Sequence, residues 1–506
     1  MMGKAKRLRP KLFYTGVSLE SRIPQSHPLR RIKEVVDFGF VRKHVAGMYG
    51  ERGNPSMDPA VLLKMMFLTF YEGVRSERAL SEQMPYRLDW LWFCDYDLDD
   101  ETPNHSVLSK ARRRWGKEVF TCFFQKVLRQ CVEAGLVDGK LVHVDASVIR
   151  ANASMDTLVP ESLLIETGQV LYNDLEEAAP VSCGEDKGAD EGGCAGQRPE
   201  GEKPGKAVVS TTDPDARLTR REGETILGYK DHRVVDDRCG VVTATVTTDA
   251  SVAESHILST ALDAHRFNTG CAEETVVADR SYGTMGVYRE VHDRGATPCI
   301  PHQKWGRVRG TFGDERFVYD APRDCYVCPA GCELHPMRKR RRSGVAKAVK
   351  YHAKAEVCRM CAFREQCTLS ENGRIINRPA DRRYVEWADG CLSRHHRRYL
   401  ALRRRVRAEG SFADAANLHG FKRARWRGKW KAAIQNLLIA TIQNVRKLLR
   451  YAGGTCPTGG VALAKRCQTA LIHGLARIHA FVSHVFQASG NQSVNPVLLW
   501  TSYPCS

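Results

Sequence analysis

The apolar positions of this chain repeat with two different periods, and the changes from one period to the other divide it into elements. From Ile32 to Trp115 the spacing is helical, and Pro59 can open a helix whose Val61, Leu62, Met65, Met66, Leu68 and Phe70 make a broad apolar surface. Ser76, Glu77 and Arg78 punctuate this stretch before a second helical run through Leu80 and Met84. Asn104-His105-Ser106 then offers an N-cap to a short helix that carries Arg112, Arg113 and Arg114. Another helix is predicted from Glu118 to Leu136, with Val119, Phe120, Phe123, Val127, Leu128 and Val132 at core spacing. After it the period shortens. Leu141, Val142 and Val144 follow the turn signal Asp138-Gly139 as a brief buried strand. Two β-rich segments, Gly228–Asp237 and Gly240–Asp249, meet in a hairpin, and Thr275–Ala278 and Thr297–Ile300 are shorter apolar runs. Helices over Glu254–Phe267 and through Val287 and Val291 alternate with them, and an amphipathic helix from Ala432 to Leu449 ends the recognisable pattern.

Three stretches lack either period. Residues 1–20 read as a basic arm, and residues 452–506 as a tail with no readable motif. Residues 155–212 read as a disordered insertion, because 180–205 hold almost no large apolar group and cannot bury a core; Cys183 and Cys194 within it carry no assigned role.

Charge changes this picture more than length does. The 506 residues suffice for two to four domains, and a hydrophobic fraction of 42% is ordinary for a soluble protein. The formal net charge of +19, from 77 Lys and Arg against 58 Asp and Glu, predicts attraction to a polyanion, with nucleic acid first and a membrane surface as the other possibility. No apolar run of about eighteen residues appears and none follows the basic N-terminus, so neither a membrane span nor a secretory signal is expected. The expected location is the cytoplasm, in association with the nucleoid, and the 18 cysteines are expected as thiols or metal ligands.

Candidate chemistry lies where the strands end. Asp145 stands on the first strand and Asp279 directly follows the Thr275–Ala278 run. Either alone is adequately explained as a polar residue bonding nearby backbone. Arg405 and Glu409 stand four apart in a Leu-, Ala- and Arg-rich stretch and would share one face of a regular helix, which by itself describes an ordinary surface ion pair. Together the three acids would offer the oxygen ligands that suit Mg²⁺. Seven potential ligands, Cys325, Cys328, Cys332, His335, Cys358, Cys361 and Cys367, cluster in residues 311–378, and Cys358-x-x-Cys361 has the pair spacing of a zinc knuckle. Beyond Glu409, Lys422, Arg423, Arg425, Arg427 and Lys429 alternate with Trp426, a mixture that suits phosphates and splayed bases or else plain surface.

With these motifs in hand the chain resembles the DDE transposases of bacterial insertion sequences, over roughly residues 20–450. The resemblance rests on VDASVIRANAS around Asp145, ADRSYG around Asp279, and the Arg405-x-x-x-Glu409 segment followed by GSFADAANLHGFKRARWRG. Leu402 stands where the family often has Tyr, Ala416 where it often has Lys, and Ser281 where many members have Gly. The resemblance implies an α/β architecture: a ribonuclease H-like core of mixed sheet and helices, an N-terminal helical domain and a Cys-rich, zinc-ribbon-like insertion. Residues 21–136 would be the DNA-holding helical domain, 137–310 with 379–451 the core, and 311–378 the Cys-rich insertion. It further implies metal-dependent cleavage and strand transfer. Asp145, Asp279 and Glu409 would hold Mg²⁺ or Mn²⁺, as two ions, with Arg405 orienting the Glu or neutralising phosphate. Cys328, Cys358, Cys361 and Cys367 become the favoured ligands of a structural zinc ion, with Cys325, Cys332 and His335 in reserve. Lys230 and His232, in the GYK-x-H segment, either decorate a strand or meet DNA near the acids. The partners implied are the element's terminal inverted repeats and target DNA, handled by a homodimer. A nuclease of the same fold, or an inactive DNA-binding relic, are the alternatives.

Overall fold

The computed structural model describes residues 18–50, 52, 55–161, 208–221, 223–303, 311–337, 348–379 and 381–451, with Met2, and these are organised about one mixed sheet. Its central strand is β1 (Leu141–Arg150). A short pair follows, β2 (Leu158–Pro160) and β3 (Val208–Ser210), and then β4 (Arg217–Arg221), β5 (Glu224–Asp236) and β6 (Val242–Asp249). After the helix Leu258–Thr269 comes β7 (Thr275–Ala278), and after the helix Met285–Asp293 comes β8 (Thr297–Cys299). The order is β4-β5-β1-β7-β8, with β6 also paired to β5. At 13 residues β5 is long enough to give the first part of one edge to β4 and the rest to β6. β1 is antiparallel to β5 and parallel to β7, so it is a boundary between two kinds of pairing.

That position explains the composition of β1: with partners on both edges and helices on the faces, Val142 and Val144 are fully buried. They join Leu262, Val276, Tyr288, Val291 and, from the later helix Arg382–Cys391, Val385 in one core. The C-terminal helix Lys429–Tyr451 packs on β5 and β6, where the Asn444 side chain bonds the amide and carbonyl of Val242 at 2.9 and 2.8 Å. This helix is not the amphipathic one the sequence suggests. Gln435, Asn436, Gln443 and Asn444, which would be its wet face, are all buried and hydrogen-bonded, because β5, β6 and residues 411–425 close over them: Gln435 bonds the Arg423 carbonyl, Asn436 bonds Thr247 and Gln443 bonds the Ser411 carbonyl, while Cys131 of the helix Glu118–Glu133 reaches the Asn444 carbonyl. The N-terminal helices have their own centre, a cluster of Phe38, Phe67, Phe93 and Phe123 rings. Pro59 does open a helix, Pro59–Tyr71, capped by Asp58.

Residues 311–379 form a second sheet, β9 (Val318–Asp320), β10 (Cys325–Val327), β11 (Glu333–Pro336), β12 (Ala348–His352) and β13 (Ile375–Pro379), each strand paired with the next around Phe317, Tyr326, Leu334, Tyr351 and Ile376.

Two expectations are corrected. The insertion 155–212 is ordered at both ends: Leu158 and Val159 pair with Ser210 and Val209, since these few apolar residues suffice for a two-strand clasp. Every described cysteine is a free thiol except Cys239, which is disulfide-bonded. The remainder of that insertion with Cys183 and Cys194, most of the basic arm, residues 338–347 and the tail lie outside the described residues. Among the described residues no helix is long and apolar enough to cross a membrane.

Candidate active site

The last β1–β7 pair is Val144 with Ala278, so the next residue on each strand, Asp145 and Asp279, emerges side by side at the end of β7. Asp145 is 8% exposed and accepts a hydrogen bond from the Ala146 amide at 2.9 Å. Burial pushes its carboxyl up to about 7; the charges of Asp279 and Glu254 add to the rise, and Arg404 opposes it. Asp279 caps a short 3-10 turn, Arg280–Tyr282, by accepting the Ser281 amide at 2.9 Å. Gly283 then lets the chain pass the Pro301 carbonyl, whose oxygen would lie 2.1 Å from a Cβ at that position.

Glu409 reaches the same place from far along the chain. The helix Arg394–Arg404 runs into a π-helical turn, Arg405–Glu409, and continues as Gly410–His419. This changes which arginine faces the acid. A regular helix aligns residues four apart, but a π turn aligns residues five apart. Arg404, not Arg405, therefore meets Glu409, at 2.7 Å, and its other terminal nitrogen lies 3.1 Å from Asp145. Arg405 is exposed and is removed from the orienting role. One guanidinium thus joins two of the three acids, while the third lies beside the first.

Two ion pairs, one half-buried and one fully buried, fix this arrangement. Asp237 bonds Arg403 at 2.9 Å and His143 of β1 at 2.8 Å, and these partners hold its carboxyl well below the usual range despite burial. Arg233, opposite Asp145 in the β1–β5 pairing, is fully buried; it pairs with Asp231 at 2.7 Å and reaches the Ser411 hydroxyl at 3.0 Å and Gln443 at 2.9 Å. Since Ser411 follows Glu409 by two residues, Arg233 fastens the acid-bearing segment to the strand beneath it.

The other candidates divide by exposure. His232 is buried against Thr248, and burial next to Lys230 pushes its imidazole down to about 3. It does not reach a DNA surface. Lys230 bonds the Val252 carbonyl at 2.8 Å and lies 3.9 Å from Glu254, so it belongs to the acid cluster. Arg112 is buried in an ion pair with Glu77 and stacks 3.7 Å above Trp426. Trp426 also meets Phe70 edge-on, and Arg425 lies 4.0 Å over Phe70 with its head on the Thr69 carbonyl. Arg112, Arg425 and Trp426 therefore join the N-terminal helices to the core instead of facing outward. Arg113, Arg114, Lys422, Arg423, Arg427 and Lys429 are exposed; Lys422 reaches Ser147 at 3.0 Å, near Asp145 on β1.

In the second sheet Cys328, Cys332, Cys358, Cys361 and Cys367 line one small cavity of about 20 Å³. Cys325 and His335 do not line it; Cys325 is buried in its strand and His335 lies beside Glu333 on the surface.

Three residues at the site escaped the sequence pattern. Arg404 hides in the run Arg403-Arg404-Arg405, Arg233 reads as a strand residue, and Glu254 lies on a three-residue turn, Glu254–His256, too short to have a period.

A transposase domain family (DUF772) matches residues 17–114, and a transposase DDE domain matches residues 327–449, which include Glu409. Asp145 and Asp279 fall between the two matched stretches. No curated protein matches the chain.

Proposed function

This chain is a DDE transposase of the insertion-sequence type, and from that premise we propose that Asp145, Asp279 and Glu409 are the acids at which it cuts and joins DNA. The observation that carries the assignment is the Arg404 bridge, which ties Asp145 to a glutamate over 250 positions away. DDE transposases as a class use divalent metal ions, and the residues here fit such an ion. The donors are all carboxylate oxygens, and a buried aspartate raised to about 7 marks a place that favours added positive charge. Arg404 supplies part of that charge in this conformation; among the described residues no three or more His, Cys, Asp or Glu are gathered closely enough to hold an ion. Arg404 must swing aside for the acids to ligate. Bound there, Mg²⁺ or Mn²⁺, expected as two ions, would polarise the attacking and leaving oxygens.

The chain's own contribution is placement. In cleavage, a water oxygen attacks phosphorus and the bond to the 3′ oxygen breaks, leaving a free 3′-hydroxyl. In joining, that hydroxyl attacks a target phosphodiester, one P–O bond replacing another with no outside energy source. Arg404, once displaced from the acids, would be free to meet the non-bridging phosphate oxygens. Asp145→Asn, Asp279→Asn and Glu409→Gln should each abolish cleavage and joining of element ends while leaving DNA binding largely intact. Cleavage by Asp145→Asn comparable to the unmodified protein would remove Asp145 from the reaction.

Domain roles follow. Residues 21–136 would help hold element ends, 137–310 with 379–451 would form the ribonuclease H-like catalytic core, and a homodimer would bring the two ends together. The protein would act in the cytoplasm at the nucleoid. The insertion would be a zinc ribbon. Cys328, Cys358, Cys361 and Cys367 share a cavity but stand too far apart in this conformation to hold an ion together, so zinc would have to draw them in; the Cys332 amide already donates to Cys328 Sγ at 3.3 Å, as a backbone donor does to a ligating thiolate. Cys332, which lines the same cavity, is the fifth candidate. Protein purified without chelator should carry close to one equivalent of zinc by elemental analysis; its absence would end the zinc assignment.

A further inference from the structure

A fourth acid stands behind the triad. Glu254 lies on the turn between β6 and the helix Leu258–Thr269, and its carboxylate is hydrogen-bonded to the Ser281 hydroxyl. The same hydroxyl is hydrogen-bonded to Asp279 Oδ1, the oxygen that accepts the Ser281 amide at 2.9 Å. Ser281 is in turn pinned by its carbonyl, which accepts from Gln303 at 2.8 Å. On the far side Glu254 has Lys230, 3.9 Å away and itself tied to the Val252 carbonyl. Ser281 is thus the link between Asp279 and the half-buried Glu254.

We propose that Glu254, acting through Ser281, is a positioning residue that fixes the carboxylate of Asp279 for cation binding; this rests on the assignment of Asp279 to the triad. A hydroxyl has one proton to donate and lone pairs to accept. Between two carboxylate groups it can donate to only one, so the contact with the other is completed by a proton from that side. Donation to Asp279 leaves Asp279 ionised and held, with Glu254 as the partner that donates back to Ser281. Glutamine at position 254 would do the same through its amide N–H₂, whereas alanine would not. Loss of an outer partner of a metal-ligating carboxylate characteristically weakens metal binding by about 10–100-fold.

The test is Mn²⁺ binding to the full-length protein by titration calorimetry, with circular dichroism melting in the absence of metal as the control for folding. Glu254→Ala and Ser281→Gly should each weaken Mn²⁺ binding about tenfold, the double variant should be no worse than either single one, and Glu254→Gln should bind within about threefold of the unmodified protein. Binding by folded Ser281→Gly equal to that of the unmodified protein would overturn the proposal. So would a Glu254→Gln variant as weak as Glu254→Ala, since that would make Glu254 a ligand in its own right. Should Glu254→Ala fail to fold, Ser281→Gly and Glu254→Gln decide the matter by themselves. Asp279→Asn separates the two assignments: Mn²⁺ binding unaffected by that change refutes the triad, whereas its loss together with normal binding by Ser281→Gly refutes only the role of Glu254.

Discussion

Asp145 lies in β1 with one cationic partner, Arg404, and two acidic neighbours, and ionising it in the folded protein is unfavourable. A carboxyl near 3.8 in the unfolded chain and about 7 in the fold binds its proton more tightly when folded. Stability from this group is therefore fully present below about pH 4 and is lost as pH rises to 7, by at most about 4 kcal/mol. Asn at 145 does not titrate. Without metal, Asp145→Asn should be the more stable protein at pH 8 and should lose that advantage toward pH 4, as followed by urea melts; Mg²⁺ at pH 8 should narrow the gap by stabilising only the unmodified protein. A variant less stable than the parent at pH 8 would contradict the burial of this charge. The neighbouring arginines supply a second contrast. Arg405→Ala should leave cleavage within about threefold, while Arg404→Ala, which removes a cation from the acids and from phosphate, should lower it more than tenfold. Equal effects would mean that the π turn does not persist in the active complex.

At the scale of elements, the decisive feature is that π turn. It inserts one extra residue into an otherwise continuous helix and rotates everything beyond it. Deleting Val406, which is 70% exposed, should restore a regular helix, preserve the circular dichroism spectrum and abolish cleavage by turning Glu409 away. Full activity in that variant would show that the turn does not set the position of the acid. Here, too, lies the limit of what the sequence discloses. β1 and β7 are legible because each holds a short β-branched apolar run with an acid directly after it, although β1 continues past Asp145 to Arg150, farther than its apolar run predicts. The partner of Glu409 is Arg404 and not the predicted Arg405 because periodicity assumes 3.6 residues per turn, and a π insertion leaves no mark in composition. His232 lies on the predicted strand but in the core: β5 is buried on both faces, so alternation, which normally tells inside from outside, is missing there. Glu254 and Ser281 were beyond reach for a different reason, since a contact between two loops depends on the whole sheet being assembled.

For the whole molecule, the distribution of basic residues matters more than their excess. Arg112, Arg425 and Trp426 form a seam in which cations stack on aromatic rings between the N-terminal helices and the loop after Glu409, and His419 extends it by bonding the Phe70 carbonyl at 2.7 Å. Burial there pushes the Arg425 guanidinium down to about 10. The seam joins the helical region to the loop after Glu409, and its charges are engaged with aromatic rings, Glu77 and the Thr69 carbonyl. Arg423, Arg427 and Lys429, close by in sequence, are exposed and free of that constraint. Each phosphate contact releases counterions, so losing one should reduce the dependence of log K on log salt by about one unit. Arg423→Ala and Lys429→Ala should therefore flatten the salt dependence of DNA binding with little change in melting temperature. Arg425→Met should do the reverse, lowering the melting temperature through loss of about 2 kcal/mol of desolvated cation–ring interaction while leaving the salt slope unchanged. If Arg425→Met flattened the slope as Lys429→Ala does, the seam would have to open on DNA, and the helical region and the Glu409 segment would part company when the protein engages its substrate.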